Sequence, residues 1–244
     1  FESDKYQQTA ANSGNPDPTT YAIGSNLSIT PFIHGLVGYW PLNEGSGSTA
    51  YDNSGWNNNG SLLDATTTDT GPTWTTTGCL NGGSCLSFDG SNDYIAISSL
   101  NNGGSLSFSI WINSSSYNSK IPISLSSSAN GTYGPDAYFN CSEINWNKGD
   151  GCNNPFSNST YPNSSWHNVI VVDNPTTNNA SLYIDGTLVG TAGYLNPSVS
   201  NGEMHLGDYI DNNFFFPGKI SYVTLFDKTL SAAEAKAIYN AVNP

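Results

Sequence analysis

Residues 85–113, CLSFDGSNDYIAISSLNNGGSLSFSIWIN, decide the fold. Three runs in this stretch, CLSFDG, YIAISSL and LSFSIWIN, place apolar side chains at alternate positions, the period of a strand with one buried face. Asp89-Gly90 and Asn101-Asn102-Gly103-Gly104 separate them, and these residue types accept the positive φ that tight turns require. Short strands with no helical period between them argue for an antiparallel sandwich rather than a βαβ fold. The same texture continues outward in LVGYWPL from Leu36, AYFNC, HNVIVVD, ASLYIDG, TLVGTAG, MHLGDYI and KISYVTLFD. Many short strands at this spacing predict an all-β antiparallel sandwich. One helix is expected, at the end. Ser231-Ala-Ala-Glu234 is a capping box in which the Ser231 hydroxyl accepts from the Glu234 amide, and AKAIYNAV follows.

Charge narrows the partners. Nineteen acidic residues against six lysines and no arginine leave a net charge of −13. A chain of this kind lacks the cationic surface that would neutralise nucleic-acid phosphates or meet an anionic membrane. Nucleic acid is therefore excluded as a partner, and no apolar run is long enough for direct membrane insertion. Only 10% of residues are charged, so solubility rests on Asn, Ser, Thr and Gly rather than on a dense acidic coat.

Four cysteines fall in two local pairs, Cys79 with Cys85 (CLNGGSC) and Cys141 with Cys152 (CSEINWNKGDGC). Neither pair has the CxxC spacing or the histidine partners of a zinc site. Three connectivities exist, of which the local one, Cys79–Cys85 and Cys141–Cys152, is favoured. Disulfides imply an oxidising, extracellular or cell-surface setting. Eight N-glycosylation sequons, from Asn26 to Asn179, agree with that setting but weigh little in a chain so rich in Asn and Ser.

The first 34 residues differ from the rest. FESDKYQQTAAN has helix formers and little apolar content, and Pro16 and Pro18 stop any helix there. YAIGSNLSITPFI (21–33) then alternates like a strand. We read 1–34 as a stem or linker and 35–244 as one domain. The sequence starts at Phe1 rather than Met, so a leader or anchoring helix ahead of it is an expectation.

GLVGYWPLNEGSGSTAYDNSGWNNNGSL, CLSFDGSNDYIAI, LSFSIWIN, WHNVIVV, SLYIDGTLVG, HLGDY and FPGKISYVTLFDKTLSAAEAKAIYN occur in that order. Together they resemble the laminin-G-like (LamG, concanavalin A-like lectin/glucanase) family over residues 35–243. The resemblance implies a jelly roll of two antiparallel sheets, one concave and one convex, with a short C-terminal helix. It also implies a carbohydrate- or protein-recognition role, often assisted by calcium, on secreted and surface proteins. Trp40, Phe88, Phe108, Trp111, Trp166, Tyr183 and Phe226 fall in strand-like alternation and are expected in the core.

Enzymes of this fold cleave glycosidic bonds with two closely set carboxylates. The five glutamates here, Glu2, Glu44, Glu143, Glu203 and Glu234, put no two on one strand face. His34, His167 and His205 are scattered, and no GxSxG or phosphate-binding loop is present. No catalytic residues are assigned, and the chain is read as a non-enzyme.

For calcium (Ca2+), which takes six to eight oxygens from flexible loops, two loops offer donors. Glu44 with Asp52 forms one, and Asp208 with Asp211 the other. Asp and Asn also build turns through their own backbone, so a purely structural role competes evenly. Ser221 and Tyr222 stand where many relatives carry acidic residues, which weakens the family's calcium set.

Ligand contact is expected from the insertion between the Trp111 and Trp166 strands. A hairpin there, stapled by Cys141–Cys152, offers Asp136, Tyr138, Asn145 and Trp146, and Asp211 and Asn213 are further candidates. Trp146 either stacks on a sugar ring or folds back over the core. Phe214–Phe216 pose the same choice. The reading is an extracellular module that binds a glycan or surface glycoprotein in adhesion. A second reading is a filament subunit, such as a modular type IV pilin, contacting neighbouring subunits. A glucanase-like hydrolase is the least supported.

Overall fold

The computed structural model describes residues 34–66, 71–100, 105–115, 120–127, 132–140, 143–147, 164–193, 202–209 and 213–242. The N-terminal strand expected at 21–33 lies outside them. The first strands are β1 (Leu36–Trp40), β2 (Thr49–Ala50), β3 (Gly60–Asp64), β4 (Thr73–Thr75) and β5 (Cys85–Asp89). β6 (Asp93–Leu100), β7 (Ser107–Ser114), β8 (Lys120–Ser127), β9 (Thr132–Asn140) and β10 (Glu143–Asn147) follow. The chain closes with β11 (Trp166–Asn174), β12 (Asn179–Ile184), β13 (Thr187–Gly193), β14 (Gly202–Leu206), β15 (Pro217–Phe226) and helix α1 (Ala232–Val242).

These strands form two antiparallel sheets. The eight-stranded sheet runs β13-β12-β11-β7-β15-β5-β4, with β1 also paired to β15. The seven-stranded sheet runs β10-β9-β8-β14-β6-β3-β2. All-β architecture, the two-sheet sandwich and the terminal helix match the sequence reading. Alternation drives the packing. Phe108, Ile110 and Ile112 of β7 face Ile95 and Ile97 of β6 and Met204 and Leu206 of β14 in one core between the sheets. β11 is apolar on both faces because both are covered. Val169 and Val171 enter the central core, while Ile170 and Val172 join a second cluster with Ala235 and Ile238 of α1. The helix therefore covers the outer face of the eight-stranded sheet, and Tyr239 stacks on Trp111 at 5.7 Å.

The capping box forms as read. The Glu234 amide donates to Ser231 Oγ at 3.3 Å, and Glu234 Oε2 accepts from the Ser231 amide at 2.7 Å. Cys79–Cys85 is a disulfide, with Cα atoms 5.6 Å apart. Cys141 and Cys152 lie outside the described residues. Of the aromatics expected in the core, six are buried; Trp166 is half-buried and donates its indole N–H to the Gly78 carbonyl.

Candidate functional site

With α1 seated on one sheet, the outer face of the seven-stranded sheet has no helix over it among the described residues. Strand alternation decides what it presents. Met204 and Leu206 point into the core, so Glu203 and His205 point out. On β6, Ile95 and Ile97 point in, and Tyr94 and Ala96 point out. Cross-strand register lays His205 between Ser124 of β8 and Ala96 of β6, and Ala96 in turn pairs with Ser61 of β3. Exposed Leu63 pairs with Tyr94 one row along.

His205 is the hub of this face. Its Nδ1 lies 2.8 Å from Asp208 Oδ1 and its Nε2 lies 3.3 Å from Glu203 Oε1. The Tyr94 ring stacks on it, with centroids 4.9 Å apart. Ser124 Oγ donates to the Asp208 carbonyl at 2.9 Å, tying the loop after β14 to β8. Gly207 makes that loop possible. Its φ is +96°, and a Cβ there would stand 2.5 Å from the Phe88 ring, so no other residue lets the chain turn Asp208 back beneath His205.

The electrostatics follow from this geometry. Burial pulls the His205 pKa down, but the hydrogen bond and charge of Asp208, with the charge of Glu203, outweigh it and raise the value above 6.5. The Tyr94 hydroxyl is raised above 10.0 by burial and then by the negative charges of Asp208, Glu203 and Asp64. The face thus sets two carboxylates against one imidazole. Asp208 itself is sealed, at 0% exposure, whereas the Glu203 side chain is 40% exposed.

At the edge of the face, Tyr209 and Phe214 form a T-shaped pair at 6.4 Å. Phe214 is 44% exposed and its carbonyl accepts from the Ile121 amide at the start of β8. Phe216, two residues on, is fully buried, so the triple-Phe run divides into surface and core.

The sequence-predicted residues are distributed unevenly. Asp136 pairs with Ser124 in register and Tyr138 with Asn145, which puts these three on the outward row beside His205. Trp146 pairs with Ala137, whose partner is the core residue Ile123, so Trp146 holds a position in the inward row. The side chains of all four, and the whole of Asp211, lie outside the described residues. Asn213 is exposed and bridges to Tyr209.

The expected calcium donors hold backbone. Asp52 Oδ1 accepts from the Tyr39 and Ser54 amides, Oδ2 accepts from the Asn58 amide, and Glu44 Oε1 accepts from the Tyr51 amide. Asp208 serves His205. Among the described residues there is no group of three or more His, Cys, Asp or Glu side chains that could hold a metal ion; Asp211 lies outside those residues. His167, bonded through Nδ1 to Asp185 at 2.8 Å, is structural as read. The sequence reading did not place His205, Glu203, Tyr94 or Ser124 in a site. The alternation in GEMHLGD, which sets Glu203 and His205 opposite Met204 and Leu206, is the signal that points to them.

A sequence profile of the concanavalin A-like lectin/glucanases superfamily matches residues 89–236. The chain belongs to this superfamily. Solved structures share the domain's architecture at low identity. Domain 4 of AbnA, a GH43 extracellular arabinanase from Geobacillus stearothermophilus in complex with arabinotriose, superposes with a TM-score of 0.63 at 15% identity, covering 84% of this chain and 98% of that one. The binding domain of Paraclostridial Mosquitocidal Protein 1 gives 0.63 at 16% identity, over 86% of this chain and 53% of that one. The ligand binding domain of botulinum neurotoxin serotype D in complex with N-acetylneuraminic acid gives 0.59 at 18% identity, over 84% and 50%. The superfamily domain thus spans nearly all of the arabinanase domain and about half of the toxin domains. No curated protein sequence matches it.

Proposed function

We propose that this domain recognises a glycan, free or on a surface glycoprotein, on the open face of its seven-stranded sheet, and that it serves adhesion rather than hydrolysis. The observation that carries the reading is the face itself. Apolar surface from exposed Leu63 and its cross-strand partner Tyr94 lies beside the half-exposed carboxylate of Glu203, which buried His205 holds in place. That division, ring-sized apolar contact with a few preorganised polar atoms, suits a sugar. Neighbouring structures named for arabinotriose and for N-acetylneuraminic acid are in keeping with it. Against cleavage stands the sealing of Asp208. Hydrolysis needs two carboxyl groups that flank the scissile bond, and here one of the pair is spent beneath His205.

A glycan array run with and without EDTA tests the reading. Retention of defined glycans is expected, reduced at least five-fold in Tyr94→Ala with an unchanged circular dichroism spectrum. Retention lost in EDTA would assign calcium a part. No retention in either condition contradicts the proposal.

A further inference from the structure

Five tryptophan side chains lie among the described residues, and four of them give the indole N–H to a backbone carbonyl. Trp40 donates to Asn58, Trp56 to Leu36, Trp74 to Gly47 and Trp166 to Gly78. Trp111 is the exception. It is 2% exposed, and its Nε1 has no hydrogen-bond partner among the described residues. A buried donor left in that state is costly, so something must meet it.

Strand alternation shows where this group sits. Phe108, Ile110 and Ile112 of β7 enter the core between the sheets, so Ser109 and Trp111 point the other way, beneath α1. Val223 and Leu225 of β15 also point inward, which turns Thr224 to the same outer side. Thr224 pairs with Ser109 in register, next to the break in β15–β7 pairing between Ser221 and Thr224. Thr224 is 4% exposed, and its Oγ1 likewise has no partner among the described residues. Ser109 Oγ accepts from Asn168 Nδ2 at 2.9 Å and keeps its own hydrogen to give. Ser109, Trp111 and Thr224 line a cavity that Ile238, Ala241 and Val242 of α1 also line.

Size and chemistry choose the occupant. At about 10 Å³ the cavity is far too small for a sugar ring and has the room of one water. An N–H donor and two hydroxyls are the few polar partners that a buried water takes.

We propose that a single ordered water occupies this cavity, accepting from Trp111 Nε1 and bonding the hydroxyls of Thr224 and Ser109. The site is independent of glycan recognition on the other sheet. A crystal structure of the domain should show a water within hydrogen-bond reach of both Trp111 Nε1 and Thr224 Oγ1. In solution, the Trp111 indole proton should give an NMR cross-peak to water whose NOE and ROE differ in sign, the mark of a held water rather than of proton exchange. Buried Trp40, bonded to the Asn58 carbonyl, is the control and should give none. Thr224→Val keeps the shape and removes the hydroxyl, and should lose the water from the crystal. Should that variant fail to fold, the two wild-type readings still decide. A cavity without density, or Trp111 bonded directly to a protein carbonyl, would overturn the inference. So would a water retained in Thr224→Val, since the bridge would then not exist.

Discussion

Asp173, at the end of β11, gives the sharpest stability test. It is 1% exposed, and neither carboxylate oxygen has a hydrogen-bond partner of good geometry. Burial pushes its pKa from 3.8 up to about 6, with the backbone amides of Leu106 and Asn174 offsetting only part of that push. A carboxyl that holds its proton more tightly in the folded state than in the unfolded one adds most to stability below pH 4. The folded state then loses ground as pH rises through the interval from about 4 to about 6. Each pH unit of that interval is worth about 1.4 kcal/mol, so the ionised carboxylate costs up to roughly 3 kcal/mol at neutral pH. Asp173→Asn removes the titration while keeping the shape. Urea denaturation from pH 4 to pH 8, read as the difference between variant and wild type, cancels the general effect of the net negative charge. The variant should be equal to or slightly below wild type at pH 4, and more stable by about 1–3 kcal/mol at pH 8. A difference that stays flat across this range, or a variant less stable at pH 8, refutes the reasoning.

Three further outcomes are expected. Replacing Cys79 and Cys85 by Ser opens a short loop, with a sequence separation of 6, and should cost about 2 kcal/mol in chemical denaturation. Gly207→Ala should cost about 3 kcal/mol, from left-handed backbone strain plus collision with Phe88, and should lower glycan binding by unseating Asp208. His205 has a raised pKa, so its charged pairing contributes fully below pH 6.5 and is lost as pH climbs through the raised value. The destabilisation caused by His205→Gln should therefore be larger at pH 6 than at pH 9, and equal losses at both would contradict the ion-pair geometry.

The fold was legible where local chemistry sets it. Alternation in residues 85–113, the turn residues around Asp89-Gly90 and the capping box at Ser231 each act over a few positions, and the strands and helix lie where these signals put them. Lys120–Ser127 was harder to read because Pro122 interrupts its alternation, yet it is the strand that seats Ser124 against Asp208. The site was less legible than the fold. Tyr94, Ser124 and His205 come from three strands distant in sequence, and only sheet order makes them neighbours. Asp52 reads by residue type as a metal donor or a turn builder, and its two oxygens organise three amides of the surrounding turn.

The central claim is that the open face of the seven-stranded sheet is the binding surface. Backbone amide NMR of the domain titrated with a glycan retained on the array tests it most directly. The largest shift changes are expected at Leu63, Tyr94, Ser124, residues 203–208 and Phe214. Changes confined to α1 and the eight-stranded sheet would contradict it.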